Sequence, residues 1–411
     1  MLEQQQHRNA KLNGRADHVA GLVERLVEHA SRPMEEAQAL AGEFYLDRDL
    51  YELEMERIFK RDWVYAARAD EIPNAGDWIS TQIGDEPVVL VRAAGGAINA
   101  LSRVCPHRFA DVLAEAKGDR GNSQSFTCPY HSWSFAHDGA LLGAPLMDRS
   151  TLFSRERDTH CLTRYQTEVF HGFVFVNLDL EAPPLAPRLS EMEELIAPYA
   201  LEDWRHMGRV AWPESPVNWK LIMDNGRECY HHQGAHRNSV EPLWPAHLVD
   251  ADTTDSRNWF CQRMFVSPEA AVGQEDGHYQ NPLVLPSIPG LDAFQRSHYL
   301  LIGIYPNMFF APGPDVMFIA RWFPTGPATH VFELGYAVHK SQLDNSELPT
   351  ILKETHAWAE EIQTEDSMMV TSIQRMITSG NAGRGGALSH LERPVWQFQK
   401  YLAHRLAGAD V

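Results

Sequence analysis

Cys105 and His107 form one C-x-H pair, and Cys128 and His131 form a C-x-x-H pair twenty residues further on. Two thiols and two imidazoles suit zinc or an iron–sulfur cluster. Zinc sites usually take each pair from one ligand type, as C-x₂₋₄-C or H-x₃₋₅-H, whereas both pairs here are mixed. A [2Fe–2S] cluster with cysteines on one iron and histidines on the other needs one ligand of each kind from each loop. Mixed pairs supply that. Exchanging two thiolates for imidazoles makes the ligand set less negative and raises the reduction potential to between about −150 and +300 mV. Pro106 and Pro129 follow the two cysteines and fix tight turns that can turn backbone N–H groups toward sulfur.

A one-electron carrier is not by itself a catalyst, and a second group of ligand types lies later in the chain. Residues 218–236, NWKLIMDNGRECYHHQGAH, contain Glu228, His231 and His236, with Cys229 and His232 beside them. Two histidines near each other are more often packing or surface residues. With a distant carboxylate they would instead form the facial triad of a non-haem iron(II) oxygenase, which leaves positions open for O₂ and substrate. Glu365 and Asp366 are the candidates, in HAWAEEIQTEDSMMVTSIQR. At about 100° per residue, Trp358, Ile362, Met369, Val370, Ile373 and Met376 mark an expected buried face. Asp366 falls about 40° from its centre and Glu365 about 60° away on the other side, so helical phase favours Asp366. A carboxylate on an apolar face needs a partner, and a metal is one.

The elements that must position these residues are legible in outline. Residues 1–40 read as a polar helix, a solvated arm or oligomer contact, and Leu50, Leu53, Ile58 and Trp63 suggest a helix leading into a strand. Residues 78–177 are short apolar or alternating runs broken by Gly, Asp and Asn, the pattern of a small antiparallel β-domain. A Pro-rich stretch at 181–190 marks a boundary. Beyond it, strands are expected at 258–266, 298–310, 315–323 and 330–338, a long helix at 347–379 and a last helix at 391–406. The expected fold class is α+β: an N-terminal helical segment (1–60), an all-β cluster domain (61–180) and an α+β catalytic domain (181–411).

Composition narrows the function. The chain has 411 residues, 44% of them hydrophobic, enough for ordinary globular cores. A formal charge of −19 argues against nucleic acid, which calls for a basic footprint. No run approaches the ~18 apolar residues of a membrane span, and residues 1–29 lack a signal-peptide core, so a soluble cytoplasmic protein is expected. Five cysteines suit a reducing compartment. No G-x-G-x-x-G follows a strand, so nicotinamide electrons would arrive through another protein.

From about Phe44 to the C-terminus the chain resembles the large (alpha) subunits of Rieske non-haem iron oxygenases, the aromatic-ring-hydroxylating oxygenases and their demethylase relatives. The two Cys–His pairs and Trp133 carry the first half of the likeness. The twenty-residue gap is slightly long for the family, and Phe109 stands where a glycine is usual. The resemblance implies a Rieske domain followed by a helix-grip-like catalytic domain. It assigns Cys105, His107, Cys128 and His131 to the cluster and His231, His236 and Asp366 to a mononuclear iron. Asn225 falls close to the iron, and Glu228 becomes the bridge between the two centres. It further implies O₂ as co-substrate, NAD(P)H electrons delivered by a flavin/iron–sulfur reductase or a ferredoxin, and no nucleic-acid or membrane partner. The two centres of one chain are far apart in the family. Electrons therefore cross within a C3 homotrimer, where Glu228 of one chain touches a Rieske histidine, His131, of the next. A small beta subunit is compatible with the chain.

The segment NGRECYH resembles glycine betaine and proline betaine demethylases, with Gly226 replacing an asparagine. Such enzymes hydroxylate an N-methyl group, which then leaves as formaldehyde, and tryptophans can cage a quaternary ammonium. Hydroxylation of an aromatic ring or aromatic acid is the rival within the class. Outside it stand a Rieske electron carrier with an inactive second domain, and a zinc-stabilised binding protein.

Overall fold

The short apolar runs after residue 60 pair as antiparallel strands in the computed structural model, which describes residues 2–251, 254–275, 277–280 and 285–408. They are β1 (Val64–Arg68), β2 (Asp77–Ile83), β3 (Glu86–Arg92), β4 (Ile98–Ser102) and β5 (Arg120–Asn122). Three short strands follow, β6 (Phe126–Thr127), β7 (Ser134–Phe135) and β8 (Leu141–Gly143), and then β9 (Arg164–Phe170) and β10 (Phe173–Asn177). The main sheet has the order β1-β10-β9-β4-β3-β2-β5, and β6-β7-β8 form a separate small sheet. Side chains alternate across β3, and Val89 and Val91 of one face join Trp78 and Leu101 in a core that also holds Cys105, Cys128 and Trp133. The core of the β-domain thus backs the cysteine–histidine loops.

Residues 59–187 form this unit, and 1–58 join 188–411 in the other. The second unit is built on β11 (Trp204–Ala211), β12 (Val249–Asp250), β13 (Trp259–Phe265), a hairpin of β14 (Gly273–Glu275) and β15 (His278–Gln280), β16 (His298–Ile304), β17 (Met308–Pro312), β18 (Val316–Gly326) and β19 (Thr329–His339). Seven of these form one antiparallel sheet, β11-β19-β18-β17-β16-β13-β12. Five helices matter below: α1 (Leu2–Ala30), α2 (Arg48–Glu54), α3 (Trp219–Asn225), α4 (Leu348–Met376) and α5 (Arg393–Ala407). Asn218 caps α3, its side chain accepting from Lys220 N–H at 2.9 Å. Pro349 sits in the first turn of α4, where its missing N–H costs no hydrogen bond. Short α3 packs against both α4 and β18. The expected α+β fold, a β-domain followed by mixed helix and sheet, is the fold observed.

Two local expectations need correcting. The N-terminal segment is not a solvated arm: Leu22, Leu26 and Ala30 are buried, and α1 lies along α5. Glu54 of α2 is buried between Lys220 Nζ at 2.6 Å and Trp219 Nε1 at 2.8 Å. Contacts between residues so far apart in sequence leave no local signature. On α4, Val370 is buried as expected, but Ile373 is 45% and Met376 62% exposed. Periodicity identifies an apolar stripe and cannot say whether the same chain covers it.

Candidate metal centres and the cavity beside them

The two Cys–His loops have matching backbones. Cys105 N–H donates to Ala110 O and Phe109 N–H to Cys105 O; Cys128 N–H donates to Trp133 O and Ser132 N–H to Cys128 O. The fourth residue after each cysteine is left-handed, Phe109 at φ 63° and Ser132 at φ 58°. This is why glycine suits position 109. The loops bring the four candidate ligands together, with both cysteines buried and the His107 and His131 rings 4.5 Å apart. Trp133 stacks on His107 at 4.5 Å and fixes its plane.

The donor set fits a two-iron cluster. Nδ1 of His107 and Nδ1 of His131 are both buried without a hydrogen-bond partner among the described residues, the condition that a ligated cation would relieve. Burial holds the Cys105 thiol above its ordinary pKa, while N–H groups of His107 and Arg108 work in the opposite direction. Those N–H groups would support a sulfur that carries charge, and a metal deprotonates such a thiol.

In the second unit, the 3-10 segment Tyr230–Gln233 that follows α3, the turn after it and α4 bring His231, His236 and Asp366 together, with one ligand atom of each lying within 4.8 Å of the others. Asp366 Oδ1 lies 2.9 Å from His236 Nε2 and 3.6 Å from His231 Nε2. The far nitrogens are also held: His231 Nδ1 is 2.6 Å from Glu228 Oε1, and His236 Nδ1 is 2.7 Å from Glu365 Oε2. Each imidazole therefore turns Nε2 inward while a carboxylate fixes the ring from behind, as carboxylates bonded to the far nitrogen of a metal-binding histidine do. Asn225 Nδ2 donates to Asp366 Oδ1 at 3.0 Å. The set of two imidazoles and a carboxylate fits a non-haem iron(II) ion.

Charge follows this geometry. Burial opposes a charge on His231, but Glu228 and Asp366 together outweigh it and raise the pKa. Burial likewise pushes Asp366 up, yet hydrogen bonding to His236 and the field of His231 bring it below its ordinary value. His232 is different: burial and the neighbouring His231 lower it to about 3, so it is neutral and its Nδ1–H donates to Trp244 O at 3.1 Å. It lines the cavity without joining the triad.

A cavity of about 170 Å³ opens beside the triad. Its wall includes Asn225, Glu228, Gln363 and a series of aromatic rings, and no lysine or arginine lies among the described residues lining it. Gly226 makes room at one end, since a Cβ there would lie 3.3 Å from Trp322 Cζ2.

The profile of the ring hydroxylating alpha subunit catalytic domain matches residues 201–408, and that of the Rieske [2Fe–2S] domain matches residues 62–165. The chain belongs to the ring-hydroxylating alpha-subunit family. Among its relatives, the glycine betaine monooxygenase oxygenase subunit of Chromohalobacter salexigens is 34% identical over 217 residues, 53% of this chain and 46% of that one. The chain thus spans about half the length of this relative. The carnitine monooxygenase oxygenase subunit of Acinetobacter pittii is 28% identical over 380 residues, 90% of this chain and 94% of the relative. A solved quaternary ammonium Rieske monooxygenase superposes with a TM-score of 0.74 at 25% identity, covering 92% of this chain and 98% of that one. Naphthalene 1,2-dioxygenase from Rhodococcus sp. shares the fold, with a TM-score of 0.72 at 20% identity over 90% and 95% of the two chains.

In this ring-hydroxylating alpha subunit, the sequence alone does not show what Glu365 does. Helical phase treats it as the weaker rival of Asp366; the structure turns it onto His236 and Ser239 Oγ. Two adjacent acids on one helix were the available signal, but their targets lie some 130 positions away. Among the described residues, no helix is long and apolar enough to cross a membrane.

Proposed function

We propose that this chain is the oxygenase component of a multicomponent Rieske non-haem iron oxygenase that hydroxylates an N-methyl group of a small quaternary ammonium compound. The N-hydroxymethyl product then loses formaldehyde. The observation that carries this reading is the inward-facing set His231, His236 and Asp366 at the edge of a small, aromatic-walled cavity. Cys105, His107, Cys128 and His131 would hold the cluster, and the inward-facing set would hold the iron. When bound, these groups supply one-electron transfer and O₂ activation.

The protein's own contribution is orientation and exclusion. Glu228 and Glu365 hold the two imidazoles in place, Asn225 steadies Asp366, and the apolar wall keeps bulk water from the reacting carbon. Aromatic faces favour an onium ion, and the betaine and carnitine relatives support that substrate class.

Electrons would come from NAD(P)H through a separate reductase or ferredoxin, and cross between subunits of a C3 homotrimer. Glu228 and His231 line the inner cavity and also an outer groove of about 690 Å³ that includes Tyr230, Met369, Ile373 and Glu392. Tyr230 and Ile373 are exposed there, and Phe109 and Tyr130 are exposed on the cluster loops. Two apolar surfaces, each beside one redox site, support docking between neighbouring chains. A cytoplasmic location is supported by five cysteines with no disulfide between them.

The test is metal and sulfide analysis of purified protein, expected to give about three irons and two sulfides per chain. It is followed by substrate-dependent O₂ uptake and formaldehyde release with a surrogate reductase. Zinc without sulfide would overturn the reading. O₂ uptake with a ring-hydroxylated product and no formaldehyde would favour the aromatic rival, whose support is the apolar lining. Cluster without mononuclear iron would leave an electron carrier.

A further inference from the structure

Four rings that line the cavity form a closed circuit away from Asp366. Trp244 contacts Tyr299 at 5.0 Å and Trp358 at 5.6 Å, while Phe318 contacts Tyr299 at 6.4 Å and Trp358 at 6.3 Å. Trp358 precedes Asp366 by eight residues on α4, or roughly 12 Å along the axis. A substrate whose reacting methyl lies by the triad would therefore put its other end in this box.

The box is nearly spent as a hydrogen-bonding site. Tyr299 Oη donates to Asp315, Trp358 Nε1 donates to Ser239 O at 3.2 Å, and Phe318 has no polar atom. Trp244 is the exception: it is 6% exposed, and its Nε1 has no hydrogen-bond partner among the described residues. A buried donor without a partner calls for an acceptor.

We infer that this end of the cavity is a subsite for a compact, uncharged group bearing one hydrogen-bond acceptor, which the indole N–H of Trp244 receives. The inference rests on the N-methyl reading above and adds what the other end of the substrate must be. Glycine betaine carries a carboxylate at that end. A carboxylate here would face one N–H and three apolar surfaces, with no lysine or arginine among the described lining residues to offset its desolvation. A second onium is also disfavoured, because the N–H edge is the positive side of the indole ring. Size limits the group as well: about 170 Å³ in all is close to the roughly 150 Å³ apolar cavity that takes up benzene.

The experiment measures binding of isosteric probes to the iron-loaded holoenzyme by calorimetry. Acetonyltrimethylammonium, a methyl ketone with the shape of glycine betaine, is expected to bind at least about tenfold tighter than glycine betaine itself. Trp244→Phe keeps a ring and removes the N–H. It should weaken the ketone about three- to tenfold and leave isobutyltrimethylammonium, which has no acceptor, unchanged. Glycine betaine binding as tightly as the ketone would overturn the inference, as would an equal loss of both onium probes in Trp244→Phe, the mark of a packing role. The wild-type comparison stands even where the variant fails to fold. Methyl neopentyl ketone, the uncharged counterpart, separates the two readings. If it binds as well as acetonyltrimethylammonium and keeps its dependence on Trp244, the subsite stands and the onium reading falls. If no ketone binds, the subsite falls.

Discussion

Glu365 and Asp366 are neighbours on α4 and reach opposite nitrogens of the same imidazole, with Glu365 Oε2 2.7 Å from His236 Nδ1 and Asp366 Oδ1 2.9 Å from Nε2. The ring is held from both sides by consecutive residues, and the two substitutions should separate. Asp366→Ala is expected to lose the mononuclear iron and keep the visible absorption of the cluster. Glu365→Gln can still accept from Nδ1–H without its charge, so it should retain iron with affinity lowered about 10- to 100-fold, measured by competition with a chelator. Equal iron loss in both would mean that the two carboxylates share the ligand role.

Glu228 holds His231 by its backbone N–H at 3.0 Å and by Nδ1 at 2.6 Å. Glu228→Gln keeps an acceptor and removes the charge. Both metal centres and the proposed trimer should persist, while reduction of the iron by the cluster in a single turnover slows sharply. Mixed trimers of Glu228→Gln and His131→Ala subunits should regain partial activity, because some interfaces then pair two intact partners. Wild-type transfer rates in Glu228→Gln would remove the bridge.

Cys105→Ser or Cys128→Ser should bleach the protein, whereas replacing Cys161, Cys229 or Cys261 should leave its colour. Phe109→Gly tests the loop itself. Phe109 pays for its left-handed backbone and is 81% exposed, so glycine should raise the thermal midpoint by the equivalent of up to about 1 kcal/mol. The same change strips apolar surface from the cluster face, and sedimentation is expected to show weaker self-association.

The Glu54–Lys220 pair is almost fully buried. Lys220→Met would leave the Glu54 carboxylate with only Trp219 N–H among the described residues and should cost about 3–5 kcal/mol in urea unfolding. Adding Glu54→Gln, which is neutral and can still accept from Trp219, should recover most of that loss. No recovery would mean that packing of the lysine stem, rather than its charge, is what matters.

Asp224 accepts from Tyr45 Oη at 2.7 Å, and burial pushes its pKa up to about 6 in spite of that bond and of Arg227 and Lys220; Glu392 pushes the same way. The unfolded value is near 3.9, so the folded state holds this proton more tightly. Its contribution to stability is complete below about pH 4 and lost as pH rises through about 6. Asp224→Asn should flatten that decline in a pH series of unfolding curves. An unchanged slope would assign the decline to another group.

The readable parts of the chain were those governed by short spacing. The mixed Cys–His pairs and the short apolar runs of β3 and β10 are local patterns, and most strands and helices expected beyond residue 258 appear within a few residues of their places, although the single strand expected at 298–310 is two, β16 and β17, joined by a turn. Helical phase favours Asp366 over Glu365, and Asp366 Oδ1 is the carboxylate oxygen that lies beside the Nε2 atoms of both His231 and His236. Contacts closed by the tertiary fold were not readable: the anchoring of α1 on α5, the burial of Glu54, the grip of Glu365 on His236, and the box formed by rings from α4, β16, β18 and the loop after His236. The exposed end of α4 failed for the opposite reason, since its apolar stripe is left uncovered by the described residues.

Helix α4 sets a strict limit on how the family's sequence can vary here. A single residue inserted between Trp358 and Glu365 would turn everything beyond it by about 100°. Glu365 would then stand where Asp366 was, and Thr364 where Glu365 was. The rear wall, the carboxylate at His236 and the outer methionine stripe would all lose register at once. Insertions and deletions should therefore be selected against within this stretch and accumulate before residue 348, where a turn can absorb them. A change of substrate size then has to come from exchanged side chains on β18 or at Gly226, and not from a longer helix.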